Sequence, residues 1–387
     1  MNVRSIVAVL ALLAAVACSG SPQWQGTIEE RDGVIYVNNP TEGLWDDATR
    51  PPFRLELEQV FGVEDEPQEA ILASVRGGKS FAVDGEGNVY VLDRTANRIV
   101  GFAPDGSVRW RAGRPGQGPG EILGASGIIW DGRDRLYASL QNGGRVDAWD
   151  LEGNYVSSQL LAHLGMSTAY VVGALDPTTL VLWEWGRDRD GVTVWVLEVG
   201  DPWRVKAEFF VNGGFEDDPG RMDGTTIDVA TGGGRIRTGH RIEYLLREFD
   251  KLGNLTRVIR RDVPQLVPTL SYAGTGWNFG EFKPPLRLDN GYFLVPRMRM
   301  PNVKSAAQFI AEAERLASAG ILGDLMEWES AVDLLDPDGR YIGSLEMPGL
   351  FDETGRLVLV GPDGRVYTRT SNPFPQVRRY RVEIDGS

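Results

Sequence analysis

A hairpin that returns at near-constant spacing constrains this chain more than any other feature. Ile99–Trp110, Val146–Val156, Leu246–Thr256 and Val332–Ile342 each read as an alternating strand, a polar turn closing on glycine, and a second strand. Glycine suits the turn because a Cβ would clash in the left-handed conformation required there. A degenerate copy runs through Trp195 to Gly200, and the last strand runs into Gly386. The turn glycines Gly106, Gly153, Gly200, Gly253, Gly339 and Gly386 stand 47, 47, 53, 86 and 47 residues apart. That is the length of a four-stranded propeller blade, and six turns imply six blades.

A second hairpin precedes each of these. Phe81–Leu92 is the clearest, Ile128–Ala138 and Leu357–Tyr367 match it, and Leu286–Leu294 matches more loosely. Two hairpins make one blade. The sequence stops at the sixth turn, so the sixth blade lacks its outer strand, and Phe53–Phe61, with period-two alternation, fits that role. Such closure leaves no large open sheet edge. Gly33–Val37 reads as a further strand, and a seven-bladed ring with residues 26–61 as a separate blade is the alternative. The long interval before Gly339 holds an insertion. Ser305–Met326 is alanine-rich, and Phe309, Ile310, Ala313, Leu316 and Ala317 have helical spacing, so a helical insertion is expected near 303–328.

The 48 glycines and 11 tryptophans suit short strands, tight turns and large rings between blades. A net charge of −14 repels phosphate backbones and argues against nucleic acid as a partner. The N-terminus carries Arg4, then an apolar run from Ile6 to Ala17, then Cys18-Ser19-Gly20. This is a signal peptide, too short for a membrane span. Ala15-Val16-Ala17-Cys18 resembles the bacterial lipobox, although leucine is more usual where Ala15 stands. The resemblance implies a diacylglyceryl group on Cys18, and Ser19 looks like an outer-membrane sorting signal, the protein facing the periplasm or the surface. The other reading is a soluble secreted protein cut near Ala17. Cys18 is the one cysteine, so no internal disulfide forms. The expected organisation is a signal peptide over 1–17, a tether over 18–25 and one all-β propeller over 26–387.

Val83–Asp93, Asn97-Arg98-Ile99 and Gly113–Ile122 together resemble the repeat of NHL-type propellers, strongly over the first two blades and only in rhythm beyond residue 170. The resemblance implies a binding and scaffolding fold that also has lyase and lactonase relatives, and fold alone does not choose among them.

Strands alternate direction, so the loops between second and third strands share a face with the connections between blades. That face receives Arg94, Arg145, Arg187, His240, Arg297 and Arg299. Recurrent arginine on an acidic chain points to a small anionic ligand there. These residues, with Trp277 as a stacking platform, are the candidate ligand face; the bland reading is pairing with acidic neighbours, with Arg98 between blades. His163 and His240 map to the same face, and calcium or zinc bound there would belong to a metal-dependent lyase or a lactonase-type hydrolase. No ligand-spaced cluster accompanies them, so no cofactor is predicted. Asp84–Asn88 reads as a hairpin turn rather than a calcium loop, and Gly116–Gly120 as a connection between blades rather than a phosphate loop. The leading expectation is a lipid-anchored envelope module that binds or scaffolds a protein or a small anionic ligand.

Overall fold

Strict alternation along each strand decides how the strands pack. In the computed structural model, Val89 and Val91 enter one apolar cluster while Tyr90 and Leu92, on the same strand, enter the next. Trp195 and Leu197 likewise face one way and Val192, Val194 and Val196 the other. Strands buried on both faces are the signature of sheets stacked face to face. The structure describes residues 23–45, 51–62, 71–75, 79–185, 191–212, 225–228, 234–240, 244–261, 263, 270–272, 275–277, 280–282, 285–299, 329–346, 357–370 and 374–384.

Three strands come first: β1 (Thr27–Arg31), β2 (Val34–Asn39) and β3 (Phe53–Phe61). Blade one is β4 (Phe81–Val83), β5 (Val89–Asp93), β6 (Arg98–Phe102) and β7 (Val108–Ala112). Blade two is β8 (Gly127–Trp130), β9 (Arg135–Leu140), β10 (Arg145–Asp150) and β11 (Tyr155–Leu160). Blade three is β12 (Tyr170–Asp176), β13 (Thr179–Trp185), β14 (Gly191–Glu198) and β15 (Arg204–Asn212). Blade four is β16 (Thr225–Asp228), β17 (Ile236–His240), β18 (Leu245–Phe249) and β19 (Leu255–Arg261). A hairpin of β20 (Leu270–Tyr272) and β21 (Thr275–Trp277) follows. In blade five, β22 (Gly280–Phe282) and β23 (Leu286–Arg287) both pair with β24 (Phe293–Arg299), which continues to β25 (Glu329–Leu335) and β26 (Tyr341–Glu346). Blade six is β27 (Leu357–Val360), β28 (Val366–Thr370) and β29 (Gln376–Ile384), completed by β3.

The ring is therefore six-bladed and closed by its N-terminal strand. The seven-bladed alternative fails because residues 26–61 form no blade: β1 and β2 extend blade four, and β3 belongs to blade six. Among the described residues, six apolar clusters fill the six seams between neighbouring blades, with Phe61, Phe81 and Tyr367 joining blade six to blade one. Gly106, Gly153, Gly253 and Gly339 adopt φ of +85 to +92°, as their turns demand. Gly200 does not. Its turn runs instead through a cis Asp201–Pro202 peptide, where proline supplies a fixed φ and no N–H. Gly386 and the helix expected near 303–328 lie outside the described residues; the interval that would hold the helix separates β24 from β25.

Closure is written in charge as well as in apolar alternation. Along the β3–β29 register Arg54 meets Glu383, Glu56 meets Arg381, and Glu58 lies 3.3 Å from Arg379 and 3.2 Å from Arg365. Every second residue from Arg54 to Glu58 thus finds an opposite charge, and a one-residue slip would break all of these pairs.

The N-terminal segment passes three blades in turn. β2 pairs in parallel with β19 on the outer edge of blade four, and β1 pairs with β2. The Asn39 amide then joins blades four and five: it donates to Arg260 O and Gly339 O and accepts from Tyr341 N and Trp24 Nε1. Leu44 and Trp45 N–H groups donate to Tyr341 O and Ile342 O along the outer strand of blade five, before β3 enters blade six.

Candidate functional site

The face receiving the second-to-third loops is built from strand ends, so whether a side chain points to solvent or between blades depends on its parity. Arg94, in the β5–β6 loop, is exposed. Arg145, the first residue of β10, is buried; its Nη1 and Nη2 donate to Gln117 O and Glu121 O, and its Nε lies 2.8 Å from Asp147 Oδ1. It clamps the connection between blades one and two. Burial pushes the Asp147 carboxyl above the usual carboxylate range, against the opposing pull of the Ser158 hydroxyl and Arg145. Arg98 behaves alike: its Nη2 donates to Ile71 O and its Nε to Asp93, a buried carboxylate that also accepts from the Ala73, Ser74 and Ala96 amides. Arg369 on β28 repeats the device, donating to Val75 O and Ser80 Oγ.

Arg297 on β24 takes part in a larger buried network at the seam of blades four and five. Its Nε donates to Asp333 Oδ1 at 2.9 Å and its Nη2 to Ser344 Oγ. Arg261, at the end of β19, donates to Asp333 Oδ2 at 2.6 Å and to Thr41 O, with its guanidinium 3.4 Å from the centre of the Tyr341 ring. Two cations thus share one carboxylate that has no exposed surface. Burial works to lower the Arg297 pKa, and the Asp333 carboxylate overrides it and raises it. Burial, then Asp333, pushes the Tyr244 and Tyr341 phenols upward. Both guanidiniums bond to protein groups, and the network ties blade four to blade five.

The remaining expected residues are dispersed. His240 on β17 is buried and engaged, while His163 is exposed in a 3₁₀ turn over Leu161–Leu164. Among the described residues no group of three His, Cys, Asp or Glu side chains converges to hold a metal. Trp277 lies on β21 opposite Leu270, and Arg299 on β24 opposite Glu329 and Gly280. Nothing further is described of those two side chains, and Arg187 lies outside the described residues. Of the strand tryptophans, Trp149 and Trp195 fill seams between blades, and Trp110, Trp130 and Trp183 pack against them.

The innermost strands surround a central channel. Its wall is apolar along Phe81–Val83, Ile128–Ile129, Val172 and Leu359–Val360, with Lys79, Arg287 and Asp289 as its charged members and Trp130 at one end. Arg287 Nε is buried without a hydrogen-bond partner among the described residues. Burial, then the neighbouring Asp363, raises the Asp289 pKa. The described lining encloses about 90 Å³, well short of the roughly 300–1,000 Å³ of pockets that enclose drug-sized ligands.

Sequence reasoning located the arginines but missed Arg261, Asp333 and the channel cations. Asp333 was visible in principle: a carboxylate inside the apolar run Val332-Asp333-Leu334-Leu335 demands a buried cation.

No protein-family model matches this sequence, and no curated protein matches it. Solved structures do resemble it. A member of the DUF4221 family from Bacteroides vulgatus superposes with a TM-score of 0.57 at 12% identity, over 86% of this chain and 99% of the other. A protein from Bacteroides fragilis, described as exported, superposes with a TM-score of 0.55 at 11% identity, over 90% of this chain and 99% of the other. At such identity the likeness shows the fold, a six-bladed propeller spanning nearly the whole of each neighbour.

Proposed function

We propose that this chain is a lipid-anchored envelope module that acts by binding or scaffolding a protein, which docks on the faces and rim of the ring. The observation that carries this reading is the economy of the interior. The described channel is too small for a drug-sized ligand, and Arg98, Arg145, Arg261, Arg297 and Arg369 are committed to holding blades together. What the described residues offer outward are the outer strands of the blades and the turns that join them. The likeness to a protein described as exported supports the placement in the envelope.

The test is crosslinking in intact cells followed by affinity capture of the full chain from envelope extracts, with a Cys18→Ala variant in parallel. Recovery of the same protein partner at near-equal stoichiometry, lost when Cys18 is replaced, supports the reading. Tightly bound stoichiometric calcium or zinc in the purified protein, with no partner recovered, would overturn it in favour of an enzyme.

A further inference from the structure

The N-terminal segment leaves the ring at its rim, not at either mouth. Trp24 is held at the seam of blades four and five, its Nε1 donating to Asn39 Oδ1 at 3.1 Å and the Arg340 guanidinium lying 5.6 Å from its ring centre. Gly26 sits so close to Trp24 and Asn38 O that a Cβ there would overlap both. Six Cα-to-Cα steps lead from Cys18 to Trp24, and whatever their path they span at most about 22 Å. Blade one lies across the ring from blade four. Two four-stranded blades at about 4.8 Å per strand, with the channel between, put its outer edge on the order of 40 Å away. The full sequence carries a net charge of −14, with Arg4 the one charged residue ahead of Cys18, so an anionic headgroup layer repels the body and favours the arrangement with least contact.

We propose that the protein meets the lipid bilayer rim-first. The outer edges of blades four and five are turned to the membrane, blade one is turned away, and both mouths of the channel open sideways. This rests on acylation of Cys18. β1, whose five residues are all exposed, is the strand nearest the headgroups.

Because Cys18 is the one cysteine in the sequence, a second cysteine in the acylated protein is its only free thiol. Glu30→Cys on β1 and Arg111→Cys on β7 replace exposed residues. Each full-length acylated variant is labelled with a donor fluorophore and placed in phosphatidylethanolamine–phosphatidylglycerol vesicles bearing a headgroup acceptor. An unchanged melting curve confirms the ring in each. Energy transfer several-fold more efficient from position 30 than from position 111 is the expected result. Equal transfer, or more from position 111, in protein that floats with the vesicles overturns the orientation and leaves the anchor standing. Protein of unacylated mass that fails to float removes the anchor, and the orientation falls with it.

Discussion

Asp333 has no exposed surface, yet two guanidiniums reach it. Removing one member of a buried charge set leaves the others uncompensated, so Asp333→Asn should destabilise the fold by about 3–5 kcal/mol, read as a lower urea midpoint. Arg94→Ala, on an exposed loop, should stay within about 0.5 kcal/mol of the parent. The turn carboxylates supply a pH dependence. Asp250 accepts from the Leu252 and Asn254 amides and from the Asn254 side chain, and these bonds hold its pKa below the ordinary value, the Asn254 side chain foremost. The unfolded chain therefore binds this proton more readily than the folded one. The turn's contribution is complete above the ordinary aspartate pKa and is lost as pH falls through the lower, folded value. Asp147, raised by burial, has the opposite sign: its contribution is lost as pH rises through its folded pKa. Melting curves from neutral to acid pH should show a shallower acid loss in Asp250→Asn than in the parent.

At the scale of elements, β3 does the closing, and its charges should set its register. Glu56→Arg or Arg381→Glu alone should lower the melting midpoint by placing like charges side by side, and the two together should restore it; failure of the pair to restore would mean the charges play no part in closure. Both the strand and its role were legible, because Phe53–Phe61 alternates with period two and the hairpins counted along the sequence leave the sixth blade one strand short. The path of β1 and β2 was not. Their pairing with β19 is parallel, with Asn39 opposite Arg261 and no hairpin turn to announce it. The Asn39 side-chain amide makes four of the contacts that fix this segment, and Asn39→Ala should loosen it, seen as faster proteolysis ahead of residue 53 with the ring intact. The loop face was legible in position and not in direction: spacing placed Arg145 and Arg297 near strand ends, while strand parity and the buried Asp147 and Asp333 turned them inward.

For the whole molecule, six apolar seams in a closed ring mean that each blade is packed on two sides, and no blade is an end. Phe61 joins β3 to the seam between blades six and one and is fully buried. Phe61→Ala should cost about 3–5 kcal/mol and shift one cooperative unfolding transition as a unit; a separate early transition confined to blade six would show that the ring is not cooperative. Closure also imposes an order in time. β3 leaves the ribosome well before its partner β29, which begins about 315 residues later. At roughly 5–20 residues per second the strand waits about 15–60 s for its mate. Throughout that wait it is an unpaired edge, the kind of segment that recruits the wrong neighbour. Arg54, Glu56 and Glu58, which later zip the ring shut, keep that edge charged while it waits, so the residues that select the right partner once it is made also discourage the wrong ones before then.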